Sequence, residues 1–298
     1  MSVATVQRNR TLTLRATGFP DLPLDSQEFA SLQGTTGWAM PPRDVRWFDG
    51  AGDGSIPRSV RVKRRPFSIP VLVQAPNADV LEDRLNELAS RFDTEQAGLE
   101  VRFLLDEGTE RGLWYLDATF VAGLDITYGT NTNGSGWAQP VLGFEAGNPF
   151  WTRLVPESVP IVAAGAGRGL LKGAVSLSAL RQASGQTLGT VTFTNPGNAR
   201  SFPVSTIYGP ATGATLTSGG LTIQWAGNLL AGQVRVFDHK AGTVVDGNGV
   251  NRYDETLGAP KFWAVPPGVS QATVQVTGDT PGTTRVTIDY LPRKWLVI

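Results

Sequence analysis

The spacing of apolar positions changes character along this chain, and each change marks an element. Arg65-Pro-Phe-Ser-Ile-Pro-Val-Leu-Val is a β-rich run. From Asp79 to Phe92 the period lengthens, and Leu81, Leu85, Leu88 and Phe92 fall on one face of a helix. Asp79 suits the start of that helix, with Glu82 three residues on as in a capping box, and Gly98 offers a stop. A single apolar stripe implies that the helix lies against a sheet. Gly98-Leu-Glu-Val-Arg-Phe-Leu-Leu and Leu113-Trp-Tyr-Leu-Asp-Ala-Thr-Phe-Val then read as two strands, closing at Gly123 before the aromatic knot Asn148-Pro-Phe-Trp151. The polar stretch 127–137 between them is a hairpin tip or a mobile loop.

After Trp151 the pattern breaks. Residues 156–173 mix small residues with Gly and Pro and show no helical period, as a linker leading into an edge strand would. Seven strand-like runs follow: Thr187 to Thr194, Arg200 to Tyr208, Gly220 to Ala226, Gln233 to Asp238, Lys261 to Val265, Ala272 to Thr277 and Thr284 to Leu291. Turn chemistry separates them at Asn195-Pro-Gly-Asn, Pro266-Pro-Gly and Gly278-Asp-Thr-Pro-Gly. Short strands at this spacing predict a two-sheet sandwich. The expected fold is mainly β, with one packed helix in a first domain over 1–155 and a β-sandwich over 156–298.

Composition agrees with that reading: 35 glycines and 20 prolines in 298 residues are many for a helical protein. With no cysteine there is no disulfide, Cys-bound zinc, iron–sulfur cluster or thiol nucleophile. The first ten residues lack the apolar core of a signal peptide, and no window reaches the length of a membrane helix. Formal net charge is zero; the first 155 residues hold 15 basic against 19 acidic side chains and the remainder 11 against 7, too even for a nucleic-acid-binding face. The one dense basic cluster is Arg58, Arg61, Lys63, Arg64 and Arg65. It reads either as alternating exposed positions of a strand or as a basic strip facing an interface or a lumen.

Catalytic patterns are sparse. His239 is the sole histidine, so a two-histidine metal site is excluded and any Ser-His-Asp triad would need this residue, which directly follows a strand. No nucleophile elbow, P-loop or dinucleotide fingerprint occurs. Asp49-Gly-Ala-Gly-Asp-Gly-Ser imitates a calcium loop but has Ala51 and Val60 where ligands belong, and Asp246-Gly-Asn-Gly-Val-Asn fails likewise at Leu257; both fit tight turns. The sequence therefore predicts no catalytic residue, no metal and no cofactor. The tryptophans, among them Trp38, Trp47, Trp114, Trp151, Trp225, Trp263 and Trp295, are core or interface residues, or else line a sugar-binding face.

Several segments carry a resemblance. Gly50-Ala-Gly-Asp-Gly-Ser, the run from Arg65, Leu88-Ala-Ser-Arg-Phe-Asp, Gly98-Leu-Glu-Val-Arg-Phe, Leu116-Asp-Ala-Thr-Phe-Val-Ala-Gly-Leu and Asn148-Pro-Phe-Trp are similar, in order and spacing, to the distal tail protein family of long-tailed, non-contractile bacteriophages. So are Thr194-Asn-Pro-Gly-Asn-Ala, Ile207-Tyr-Gly-Pro, Leu230-Ala-Gly-Gln, Lys261-Phe-Trp-Ala-Val-Pro-Pro-Gly and Ile288-Asp-Tyr-Leu-Pro-Arg-Lys-Trp in the second half. The resemblance implies a first domain that is a split β-barrel with one helix, related to tail tube proteins, whose copies close into a hexameric ring, and a galectin-like β-sandwich as the second. It implies a structural protein at the distal end of the tail in the virion, made in the host cytoplasm. The implied partners are other copies of itself, the tail tube protein, a tail-tip hub or tail-associated protein and a receptor-binding protein. DNA would pass through the lumen without sequence-specific contacts, and no membrane insertion is implied. On that reading Trp38, Trp47 and Phe48, within 36–65, contribute to subunit contacts. The alternative is a carbohydrate-binding adhesin that presents exposed Trp225 or Trp263 to a host-surface glycan.

Overall fold

The computed structural model describes residues 10–109, 112–126, 136–162, 186–280 and 282–297. Most of the polar stretch 127–137 and of the expected linker 156–173 lie outside these residues. The chain divides into two units, one running to Leu154 and resuming at Arg293, the other spanning Val155–Pro292. The expected division assigned the final residues to the second domain; they belong to the first.

Unit 1 is built on a ten-stranded antiparallel sheet. In chain order its elements are β1 (Thr11–Arg15), β2 (Leu22–Pro23), β3 (Phe29–Ser31), β4 (Arg43–Asp49), β5 (Ser55–Val62), β6 (Arg65–Gln74), α1 (Ala78–Ser90), α2 (Thr94–Ala97), β7 (Val101–Asp106), β8 (Leu113–Gly123), β9 (Trp137–Ala138), β10 (Val141–Ala146) and β11 (Trp151–Arg153). The main path runs β2-β1-β7-β8-β10-β6-β3. Its two ends meet: the Leu24 N–H donates to Leu12 O and the Ser31 N–H to Leu24 O, both at 2.7 Å, so the sheet curls back on itself. Alternation in β6 sends Phe67, Ile69, Val71 and Val73 to the interior. There Phe67 stacks on Phe144 with centroids 5.3 Å apart, and Phe103 meets both rings edge-on.

The predicted helix is present, with Leu81 and Leu88 buried and Leu85 and Phe92 packed on the core beside them. Its cap differs from expectation. Asn77, with extended backbone, accepts the Val80 N–H through Oδ1 at 2.9 Å; Asp79 lies inside the first turn and favours the positive end of the helix dipole there. Gly98, at φ 80°, ends the short α2 rather than α1. Gly123 closes β8 as anticipated, at φ 131°, where a Cβ would lie 2.1 Å from Val141 O.

Unit 2 packs a five-stranded sheet against a four-stranded one. Its strands are β12 (Glu157–Val162), β13 (Gln186–Asn195), β14 (Val204–Tyr208), β15 (Ala211–Ser218), β16 (Leu221–Leu229), β17 (Val234–Asp238), β18 (Thr243–Asp246), β19 (Gly268–Thr277) and β20 (Arg285–Tyr290). The orders are β12-β20-β14-β17-β18 and β13-β19-β15-β16, and Phe193, Ile207, Phe237, Val274 and Ile288 fill the space between them. Three strands exceed the seven runs read from sequence: β12, which opens the supposed linker and carries Pro160 on a sheet edge, the small and Thr-rich β15, and the short β18. Lys261 to Val265 is no strand; there only Val265 bridges Ser201, while the Trp263 N–H turns to His239 Nδ1 at 3.2 Å. The tail then forms β21 (Arg293–Lys294), which pairs with β11 in unit 1.

Candidate assembly surface

Among the described residues, β4 and β5 pair only with each other. Their register runs from Arg43 opposite Val62 to Asp49 opposite Ser55, with a bulge at Arg46/Trp47 that leaves Arg58 as the extra residue. The tip is the glycine-rich segment that imitates a calcium loop; Ser55 Oγ donates to Asp49 Oδ1 there at 2.5 Å, closing a turn. This arm covers no core. The pairing places Val45, Trp47, Pro57, Val60 and Val62 on one face and Asp44, Arg46, Phe48, Ile56 and Arg61 on the other, with the Arg58 guanidinium 5.6 Å from the Phe48 ring centre. Trp47 is 59% exposed and Phe48 53%, and Met40, Ile56 and Val60 are exposed with them. An isolated pair of strands is marginal in water, and apolar side chains left exposed on both faces of such a pair cost free energy unless something packs on them.

The base of the arm is held by a side chain that the sequence reading placed in the basic strip. Arg65 is fully buried. It donates to Gly37 O and Ala39 O at 2.9 and 2.6 Å, to Pro149 O at 2.8 Å and to Trp295 O at 2.5 Å. Burial lowers its pKa to about 10, so it stays protonated at neutral pH, its charge solvated by carbonyls. Gly37 permits the approach: at φ 79°, a Cβ there would lie 2.2 Å from Pro66 O. Arg65 therefore leaves the strip, for the physical reason that it starts a core strand. Arg58, Arg61, Lys63 and Arg64 remain exposed, with Lys63 near Asp44 at 3.4 Å and Arg64 near Glu145 at 3.1 Å. Exposed pairs of this kind contribute little to stability and leave the cations open to other partners.

No protein-family model matches the chain, and no curated protein matches it. Among solved structures, the Dit protein (gp 19.1) of phage SPP1 aligns with a TM-score of 0.65 at 13% identity, over 95% of this chain and 98% of its own. The chain has the Dit fold. A chain of the phage P2 baseplate aligns at a TM-score of 0.48 and 9% identity, over 97% of this chain and 100% of its own. The SPP1 protein is described as a paradigm of the hub of the adsorption apparatus in phages that infect Gram-positive bacteria.

Within the Dit fold the remaining predicted site residues separate. Trp38 is not part of the arm's exposed surface; it packs on the unit 1 core edge-to-face with Trp151, centroids 5.6 Å apart. Trp225 and Trp263, the suggested glycan platform, are 2% and 3% exposed and belong to the sandwich core. Both indoles lie among the side chains that fill the space between the sheets, Trp225 from an inward position of β16 and Trp263 from the segment before β19, and the Trp225 Nε1–H is taken up by Glu255 Oε2 at 2.6 Å. His239 is also buried, its ring 4.4 Å from that of Trp263. Sequence reasoning missed Met40, Ile56 and Val60 as exposed companions of Trp47. Met40 precedes β4, Ile56 and Val60 sit among polar neighbours as in any half-buried strand, and nothing local says that the facing layer is absent. Among the described residues no three His, Cys, Asp or Glu side chains cluster as metal ligands, and no helix is long and apolar enough to cross a membrane.

Proposed function

We propose that this protein is a structural component of a phage tail tip, a ring-forming adaptor that joins the tail tube to the tip hub and the adsorption components. The observation that carries the reading is the match to SPP1 Dit across nearly the whole length of both chains. In this reading copies associate head to tail through a heterologous interface that closes into a hexamer. The β4–β5 arm, with Trp47 and Phe48, supplies the apolar contact. Arg58, Arg61, Lys63 and Arg64 face a neighbouring subunit or the lumen through which DNA passes without sequence readout. The role is structural rather than catalytic, in a virion assembled from components made in the host cytoplasm.

Light scattering on the purified chain tests this directly. The expected result is a hexamer mass at high protein concentration, and monomers for Trp47→Asp, which sets a charge in the middle of the apolar contact. Intact rings formed by Trp47→Asp would remove the arm from the interface. A parent chain that stays monomeric both alone and with tail tube protein would overturn the ring itself.

A further inference from the structure

Unit 2 carries a polar cleft of about 600 Å³ that has no place in the ring reading. It lies where the end of β16 and the start of β17 face the Asp246–Arg252 loop and the 3-10 turn Tyr253–Glu255. Two ion pairs and a turn brace its walls. The Asp246 carboxylate accepts the N–H groups of Asn248 and Val250 at 2.9 and 3.0 Å and the Arg252 guanidinium at 3.1 Å. Arg235, only 5% exposed, is bidentate to Glu255 with both bonds at 2.9 Å, and Glu255 is fixed from below by the Trp225 indole. Gly227 makes room for that stack, since a Cβ there would lie 2.6 Å from the indole ring.

Two properties of the cleft define what it can take. Its two guanidinium groups are matched by two carboxylates, so it offers no net charge with which to select an anion or a cation. The side-chain amides of Asn228 and Asn248 make no hydrogen bond among the described residues, and the Gln233 amide has only its oxygen engaged, by the Leu230 N–H at 2.9 Å. Amide donors and acceptors left open to a ligand, at balanced charge and in a volume typical of small-molecule sites, suit a neutral molecule dense in hydroxyl groups. We infer that this cleft is a binding site for a neutral saccharide, held by Asn228, Gln233 and Asn248 against the Arg235–Glu255 and Asp246–Arg252 pairs. No exposed aromatic ring lines it, so binding rests on hydrogen bonds and is weak for a single sugar, on the order of millimolar.

The site is complete within one chain and holds whether or not rings form. The test is an NMR titration of the full chain with glucose, galactose, N-acetylglucosamine, rhamnose and their short oligomers, with glucose 6-phosphate as an anionic comparison. Saturable shifts at the backbone amides of Asn248, Val250 and Gln233 with at least one neutral sugar are expected. The double variant Asn228→Ala, Asn248→Ala should weaken that sugar about tenfold or more, with its melting temperature held at the parent value. Absence of shifts for every sugar would overturn the inference, as would shifts that the double variant leaves intact. Tighter binding of glucose 6-phosphate than of glucose would overturn it too, since a charge-balanced site has no reason to prefer the anion.

Discussion

Arg65 shows how far a residue's role can stand from its neighbourhood in sequence. It ends a run of basic residues, yet it alone of that run is buried, and its guanidinium ties together the segment Gly37–Ala39 before the arm, the loop at Pro149 and the tail at Trp295. Replacing it by Met should cost at least about 3 kcal/mol in unit 1, because several buried carbonyls lose their donor at once. Chemical denaturation followed by tryptophan fluorescence measures that cost, and Arg65→Lys should recover only part of it. His239 gives a second expectation. Its Nδ1 accepts the Trp263 N–H, which puts the ring proton on Nε2, shared with Ser205 Oγ at 3.1 Å. Burial lowers its pKa to about 4 from an ordinary 6.5, so the folded state holds the neutral ring. The stability this contributes is present above pH 6.5 and lost as pH falls toward 4, about 3 kcal/mol in all. The difference in unfolding free energy between parent and His239→Gln, measured from pH 7 to 4, should shrink by that amount. Neither role was legible in sequence: a charge run looks solvated and a lone histidine after a strand looks like a turn residue until the third dimension supplies their partners.

At the level of elements, what the sequence disclosed depended on how many apolar side chains each element buries. β6, β8 and α1 each bury an apolar stripe and, like β13, were read with nearly correct bounds. β15, with Ala, Gly and Thr at most positions, is a central strand held by β16 and β19 through its backbone, and its pattern gave no signal. The arm is the opposite case. Its alternation is legible, but the missing layer is not, so Trp38 and Trp47 looked alike while one packs on Trp151 and the other faces outward. A two-stranded arm with no core opens readily, and Arg46, Arg58, Arg61 and Lys63 are exposed on it. Trypsin should therefore cut the free chain first within 43–64, and assembled rings should resist cleavage there. Equal cutting rates for monomer and ring would separate the arm from the subunit contact.

On the scale of the whole molecule, composition and periodicity sufficed for a mainly β chain in two parts, and the fold match to SPP1 Dit runs through both. The last turn of the chain was beyond reach, because Arg293 and Lys294 form too short a strand to carry a pattern. β21 lies beside β11, with Thr152 opposite Arg293 and Trp151 opposite Lys294. The Lys294 ammonium reaches Glu107 at 2.5 Å and sits 4.1 Å from the Trp114 ring, which locks the strand in place. A chain in which residues 154–292 are replaced by Asn-Gly should fold as unit 1 alone, since Arg153-Asn-Gly then forms a three-residue hairpin loop, with Gly at its left-handed position, between Thr152 and its partner Arg293. Circular dichroism and a cooperative melt would establish this, and a chain that stays unfolded would mean that unit 1 needs its insert. The same stem gives the sandwich the standing of a cartridge. Any domain whose two ends lie about one strand spacing apart, roughly 5 Å, could be seated on β11 and β21 in its place, leaving the curled sheet and its arm untouched.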